Sequence, residues 1–137
     1  MVNNVFLADD YCTQFNQPNS IEPLLCSDFT IVRTKSKDNV QLTPVQYNKS
    51  EFLEFLKKHF SALKIIQLTR NYFPPESANT LKCKLTYTYK KSEIFFRTTV
   101  NIVMTFMKEK GELKIQQINQ SEFRESERTM QLQIDKK

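Results

Sequence analysis

From residue 78 to residue 119 the chain alternates apolar and polar residues with few breaks, and that alternation decides the fold class. Leu81, Cys83, Leu85, Tyr87 and Tyr89 form one apolar file, and Ile94, Phe96, Val100, Ile102, Met104 and Phe106 form a second. A period of two over such lengths is the signature of extended strands with one apolar face each, and a helix would scatter these residues around its axis. The polar segment Lys90-Lys91-Ser92 between the files reads as a turn, so the two strands pair antiparallel. A third, shorter strand follows Glu109-Lys110-Gly111. In it Leu113 and Ile115 are in register, and Gln117 and Asn119 continue the same file in polar residues. Upstream, Ile66, Leu68 and Tyr72 mark a fourth strand, and Pro74 to Asn79 supply its turn. Arg70 interrupts that apolar file, so it either snorkels out at the strand end or faces an acidic ligand.

The first half has a different period. Val5, Ala8, Tyr11, Cys12 and Phe15 recur at steps of three and four, one stripe of a helix over residues 3–16 with Asn3 or Asn4 as its N-cap. Gln17-Pro18-Asn19-Ser20 stops it, and Ser20 with Glu22-Pro23 opens a short second helix to about Cys26, which Asp28 caps or ends. Phe29 and Ile31 then alternate with Thr30 and Val32, and Lys35 to Asn39 turn the chain into a second strand over Val40–Val45. Asn48-Lys49-Ser50-Glu51 precede Phe52, Leu53, Phe55, Leu56 and Phe60, which reads as a well-capped amphipathic helix from about Glu51 to Phe60.

One glycine, Gly111, in 137 residues excludes the Gly-rich phosphate loops of P-loop and dinucleotide-binding proteins. The length suits one domain with one core, and 11 Phe with 5 Tyr supply large packing units without Trp. Charge is uneven: residues 1–30 carry Asp9, Asp10, Glu22 and Asp28 against no Lys or Arg, whereas residues 31–121 carry 16 basic and 7 acidic residues. An acidic helical segment beside a basic sheet reads first as intramolecular complementarity. Nucleic-acid binding through Lys82, Lys84, Lys90 and Lys91 is disfavoured, because the basic residues form no dense run. Cys12, Cys26 and Cys83 lack metal-ligand spacing and allow at most one disulfide, so buried thiols are expected. No apolar run approaches the length of a membrane span, and no signal-peptide pattern opens the chain. The expectation is a soluble chain, cytoplasmic by default. A removed leader would make it secreted, with Asn48-Lys49-Ser50 and Asn119-Gln120-Ser121 as glycosylation acceptors.

The order helix, short helix, hairpin, capped helix and four long strands resembles the nuclear transport factor 2-like superfamily, also called the polyketide-cyclase-like or cystatin-like cone. The resemblance covers residues 5–120. It rests on DFTIV from Asp28, NKSEFLEFL from Asn48, LKCKLTYTY from Leu81 and EIFFRTTVNIVMTF from Glu93. It implies an α+β domain over residues 1–121, a strongly curved antiparallel sheet wrapped over about three N-terminal helices, with residues 122–137 as a charged tail. In that tail Met130, Leu132 and Ile134 alternate as in an edge strand, a docking strand or a frayed terminus. A plain cystatin-like sheet over one helix is the competing fold. Members of the superfamily include enzymes that isomerise, dehydrate or cyclise small apolar substrates, and many binding or dimerisation modules.

Fold does not choose among these, so the lining of the cone must. Tyr11, Phe15, Phe29, Tyr87, Tyr89 and Gln117 are the expected pocket residues. An enzyme of this shape needs a base in an apolar pocket and a donor facing the developing oxyanion. The tyrosines supply donors, but the inward files hold no Asp, Glu or His, and the amides of Gln117 and Asn119 take no proton. His59 is the only histidine and stands beside Lys57 and Lys58 on the solvated side of its helix. Asp9 paired with Tyr11 is the best catalytic alternative, although Asp9 lies one residue off the apolar stripe. Cys83 reads as an inert buried thiol, since no base accompanies it. On the far side of the sheet Phe95, Val103 and Met107 make a second apolar face, which a dimer partner or a folded-back segment would cover. The sequence therefore points to a non-catalytic binding module with no cofactor or metal, a homodimer or protein partner at that face, and room for a small apolar ligand in the cone. A small-molecule enzyme or apolar-ligand carrier is the alternative.

Overall fold

The computed structural model describes residues 2–37, 40–60, 63–74, 77 and 79–126; the alternating Met130, Leu132 and Ile134 lie outside them. Helix α1 (Val2–Thr13) is followed by the short α2 (Pro18–Ile21), a 3-10 turn over Glu22–Leu24, strands β1 (Leu25–Lys37), β2 (Val40–Gln41) and β3 (Val45–Asn48), and helix α3 (Lys49–His59). Strands β4 (Ile65–Tyr72), β5 (Thr80–Lys91), β6 (Ile94–Glu109) and β7 (Glu112–Ser126) complete the chain. The result is an α+β cone, three helices against a large curved, unclosed sheet.

The seven strands run in the order β2-β1-β7-β6-β5-β4, with β3 also paired to β1. Strands β4 to β7 form an antiparallel meander, as their short turns require. The sheet is nevertheless mixed rather than wholly antiparallel, because β1 lies parallel to β7. The two strands are joined through the rest of the chain, so no tight turn forces them antiparallel. Their register sets the apolar pair Ile31 and Ile118 side by side on the inner face.

Local chemistry accounts for most element boundaries. Asn48 accepts from the Glu51 amide at 2.9 Å while the Glu51 carboxylate accepts from the Asn48 amide at 2.9 Å, a complete capping box for α3 worth about 1 kcal/mol. Pro18 occupies the first turn of α2, where its fixed φ is preorganised and its missing N–H costs nothing. That moves the second helix upstream of Ser20, and Cys26 and Asp28 belong to β1 rather than to a helix end. Asn3 and Asn4 likewise lie inside α1, which begins at Val2. The β5–β6 hairpin turns at Ser92-Glu93, both left-handed with φ of 53° and 68°, and the β6–β7 hairpin turns at Lys110-Gly111 with φ of 53° and 82°. Two left-handed residues are what a two-residue type I′ turn demands. Glycine meets that demand only at position 111.

Two bulges alter what faces inward. Between β4 and β5, Ile65 opposes Tyr89 and Gln67 opposes Thr88, which leaves Ile66 unpaired and 55% exposed. Between β6 and β7, Phe106 opposes Ile115 and Thr105 opposes Gln117, so Gln116 is the extra residue. A one-residue insertion exchanges the faces of everything beyond it. Ile115 therefore hands the inner file to Ile118, Gln120 and Glu122, and Gln117 and Asn119 pass to the outside. Strand β7 also pairs through Ser126, five residues past the expected domain end at 121.

Candidate functional site: the mouth of the cone

Arg33 continues the inner file of β1 after Phe29 and Ile31, and β7 brings Gln120 alongside it in the parallel register. Its guanidinium donates from Nε at 2.7 Å to Glu122 Oε2, with Nη2 in ion-pair contact at 2.6 Å, and the same oxygen accepts from Gln120 Nε2 at 2.9 Å. The Arg33 and Glu122 side chains are 5% and 9% exposed, so this is a buried ion pair. Arg33 also lies over the Phe55 ring, 4.1 Å from its centroid, a cation–π contact that offsets part of its desolvation. Every buried side-chain polar atom among the described residues has a partner. Glu122 Oε1 has no hydrogen-bond partner among the described residues, and Glu122 borders the space inside the cone.

That space has two parts. The inner one, about 30 Å³, lies among Tyr11, Phe15, Arg33, Phe55, Tyr87 and Glu122, room for a water molecule. The outer one, about 240 Å³, is bounded by Lys35, Ser36, Leu42, Phe60, Tyr87, Tyr89, Thr98, Glu122 and Arg124. Phe60, Tyr87 and Glu122 border both, so the inner recess is the floor of the outer cleft. Phe15 and Tyr87 meet with centroids 4.8 Å apart, Tyr87 stacks on Tyr89 at 5.8 Å, and Tyr89 stacks on Phe96 at 5.4 Å. Phe15, Tyr87 and Tyr89 of this aromatic ladder line the two parts of the space, and Phe96 backs Tyr89. Burial pushes the hydroxyls of Tyr11 and Tyr87 above the ordinary phenol range, so both remain protonated at neutral pH.

Among the residues expected in a pocket, Tyr11, Phe15, Tyr87 and Tyr89 border this space. Phe29 instead packs on Phe52, centroids 5.7 Å apart, in the core. Gln117 faces away because of the bulge at Gln116. Arg33, Gln120 and Glu122 form the polar floor and were not expected there. Arg33 was within reach of sequence reading, since it shares an inward file with Phe29 and Ile31. Glu122 was not, because the period of β7 before the bulge assigns it outward.

The other charged candidates have separate roles. Asp9 Oδ1 accepts from Arg70 Nε at 2.6 Å and from the Tyr72 hydroxyl at 2.6 Å, which ties α1 to the edge strand β4. Those two bonds, Tyr72 first, hold the Asp9 carboxyl below the usual range, a poor state for a base. The Asp9–Tyr11 acid–base pair is accordingly not assembled. Arg70 neither snorkels free nor waits for a ligand, since its partner is Asp9. His59 is exposed and lies 4.8 Å from the Phe55 ring. Cys12, Cys26 and Cys83 are buried free thiols, with Cys12 and Cys83 sulfurs 4.0 Å apart. Cys26, Asp28 and Glu109 place donor atoms within 4.8 Å of one another, but Glu109 is already committed to the Ser27 amide and hydroxyl at 2.9 and 2.8 Å.

On the outer face, Phe95 is 36% exposed at the hairpin end, while Val103 and Met107 are half-buried. Phe95 and Val103 stand eight residues apart on one strand, roughly 25 Å along it, with Arg97, Thr99 and Asn101 between them on the same face. The three do not join into one apolar strip. A groove of about 330 Å³ crosses this face among Val32, Thr34, Phe73, Lys82, Val103 and Asn119, apolar and polar residues mixed along it.

No family profile and no curated protein matches the sequence. Solved structures do match in fold. A nuclear transport factor 2-like protein from Cytophaga hutchinsonii superposes with a TM-score of 0.59 at 12% identity, covering 85% of this chain and 93% of that one. A candidate isomerase from Bacillus subtilis gives 0.60 at 11% identity over 82% and 78% of the two chains. A computationally designed 17-OHP binder gives 0.56 at 18% identity over 85% and 88%. The chain has the nuclear transport factor 2-like fold, and its described residues include no helix long and apolar enough to cross a membrane.

Proposed function

We propose that this chain is a non-catalytic binding module that takes a small molecule with a largely apolar body into the mouth of its cone. The observation that carries the reading is the cleft itself: aromatic and aliphatic walls from Leu42, Phe60, Tyr87 and Tyr89, with the Arg33–Glu122 pair below and polar side chains at the rim. An apolar pocket with a few convergent polar groups is the usual form of a small-ligand site. At about 240 Å³ the cleft is just under the range that holds drug-sized ligands, so a body of one or two rings suits it. The designed 17-OHP binder supports the reading by analogy, as a protein of the same fold that takes a small ligand. Polar residues separate Phe95, Val103 and Met107, which argues against self-association through them.

A second reading, a small-molecule enzyme, is favoured by one observation, the presence of Glu122 in the cleft. Two hydrogen bonds and the Arg33 ion-pair contact on its Oε2 argue for a charge held by Arg33 rather than for a proton acceptor. The test is titration of 2-naphthylmethanol into isotope-labelled protein, followed by amide shifts. Changes confined to residues 33–42, 87–98 and 120–124 are expected. Changes centred on Asn101, Val103 and Asn119, or none that saturate, would refute the cleft as the binding site.

A further inference from the structure

The cleft is charged unevenly, and the imbalance names a ligand class. Three cations, Arg33, Lys35 and Arg124, border it against the single carboxylate of Glu122. Glu122 is spent on Arg33, at 2.6 and 2.7 Å, which leaves Lys35 and Arg124. Among the described residues neither has a carboxylate within ion-pairing distance, while Lys90, Arg97 and Lys114 on neighbouring strands each do. Arg124 rests near the Phe96 ring, 5.3 Å from its centroid, at the top of the aromatic ladder. Lys35 is an exposed rim residue, yet burial by the surrounding protein and then the Arg33 charge hold its ammonium below the ordinary lysine range, and Arg124 adds to the repulsion. Two mutually repelling cations at the rim of an apolar cleft favour an anion between them.

Resting on the small-ligand reading above, we infer that the ligand is an organic anion: a one- or two-ring apolar body bearing a carboxylate, with the rings against Tyr87, Tyr89 and Leu42 and the carboxylate received by Lys35 and Arg124 at the rim. Ser36, which borders the same cleft, is in place to donate a further hydrogen bond, whereas the Thr98 hydroxyl is engaged with Tyr87. The opposite orientation, carboxylate down, is disfavoured because it would set that charge against Glu122 on the floor. Rim recognition also makes entry simple. The apolar end goes in first, and the charged end keeps part of its hydration.

The experiment compares 2-naphthoate with 2-naphthylmethanol, equal in ring system and differing in charge, by calorimetry and amide shifts at moderate salt. The acid is expected to bind wild type about tenfold more tightly, the worth of one charge-assisted contact. Lys35→Gln with Arg124→Gln should erase that preference by bringing the acid's affinity down to the alcohol's, and Lys84→Gln on the outer face should change neither affinity. Both substituted side chains are at the surface, and an unchanged thermal midpoint will establish that the variant is folded. Equal binding of acid and alcohol at the cleft overturns the anion inference and leaves the small-ligand reading standing. Acid preference that survives the double variant overturns the assignment to Lys35 and Arg124. Failure of both probes at the cleft overturns the small-ligand reading and the anion inference together.

Discussion

Removing either half of the Arg33–Glu122 pair should cost far more than removing both. Each side chain is under a tenth exposed, and an ion left alone at such a site loses its partner but not its desolvation penalty. Truncating one member of a buried pair typically costs about 3–5 kcal/mol, whereas replacing both with apolar residues of similar size is often neutral. Arg33→Met strands the Glu122 carboxylate with Gln120 as its remaining donor, and it also forfeits the contact with the Phe55 ring at 4.1 Å. Glu122→Met strands the guanidinium on that ring. We expect about 3–4 kcal/mol for each single change, and about 0–2 kcal/mol for the double change. The difference is a coupling of several kcal/mol, to be read from urea unfolding midpoints at constant m-value. The Asp9–Arg70 pair is the internal reference. It too is short, at 2.6 Å, but its side chains are 37% and 34% exposed, so Arg70→Gln should cost no more than about 1 kcal/mol. Single changes at Arg33 and Glu122 that each cost under about 1 kcal/mol, or a double change equal to their sum, would refute the claim that the cone floor is a desolvated ion pair.

Two further outcomes follow from local chemistry. Asp9 has a folded-state pKa below its ordinary value of 3.8, through the Tyr72 hydroxyl and then Arg70; its contribution to stability is therefore full above about pH 4–5 and disappears as pH falls through the lowered pKa. Unfolding midpoints of wild type and Asp9→Asn should differ at pH 6 and converge toward about pH 2; a difference that grows with acid would contradict the assignment. In the β5–β6 turn, Ser92 and Glu93 both hold positive φ without glycine or asparagine. Replacing them by Asn and Gly should stabilise the fold by about 1–2 kcal/mol, and no gain in the urea midpoint would mean that the turn is not of the I′ type.

Where elements keep one period from end to end, sequence reading placed them well. The inward file of β5, from Leu81 to Tyr89, is buried throughout, and α3, at Lys49–His59, lies within two residues of the capped helix expected over about Glu51 to Phe60. The wall residues Tyr11, Phe15, Tyr87 and Tyr89 follow from those regular stretches. What escaped is tied to three features that period analysis does not register. A proline at the first helical position moved α2 upstream of Ser20, a long-range parallel pairing set β1 beside β7, and single-residue bulges exchanged faces in β4 and β7. A bulge in a strand of mixed polarity leaves no mark in the sequence, because either phase of Gln116-Gln117-Ile118-Asn119-Gln120 can be read as the inner one.

The bulge at Gln116 also governs what the cone can bind. Strand β7 read straight through from Ile115 would line the interior with Gln117, Asn119 and Ser121, and would turn Glu122 and Arg124 to the outer face. Arg33 would then stand on its inward file beside Phe55 with no carboxylate to meet it. The extra residue instead sends Ile118 into the core, Glu122 onto Arg33 and Arg124 to the rim in one step, because residues two apart on a strand share a face. Core packing at Ile118 and charge placement at Glu122 and Arg124 are thus fixed by the same register. Slippage of β7 by one residue would bury polar amides and leave an isolated guanidinium, so the register that closes the core is also the one that builds the charged cleft.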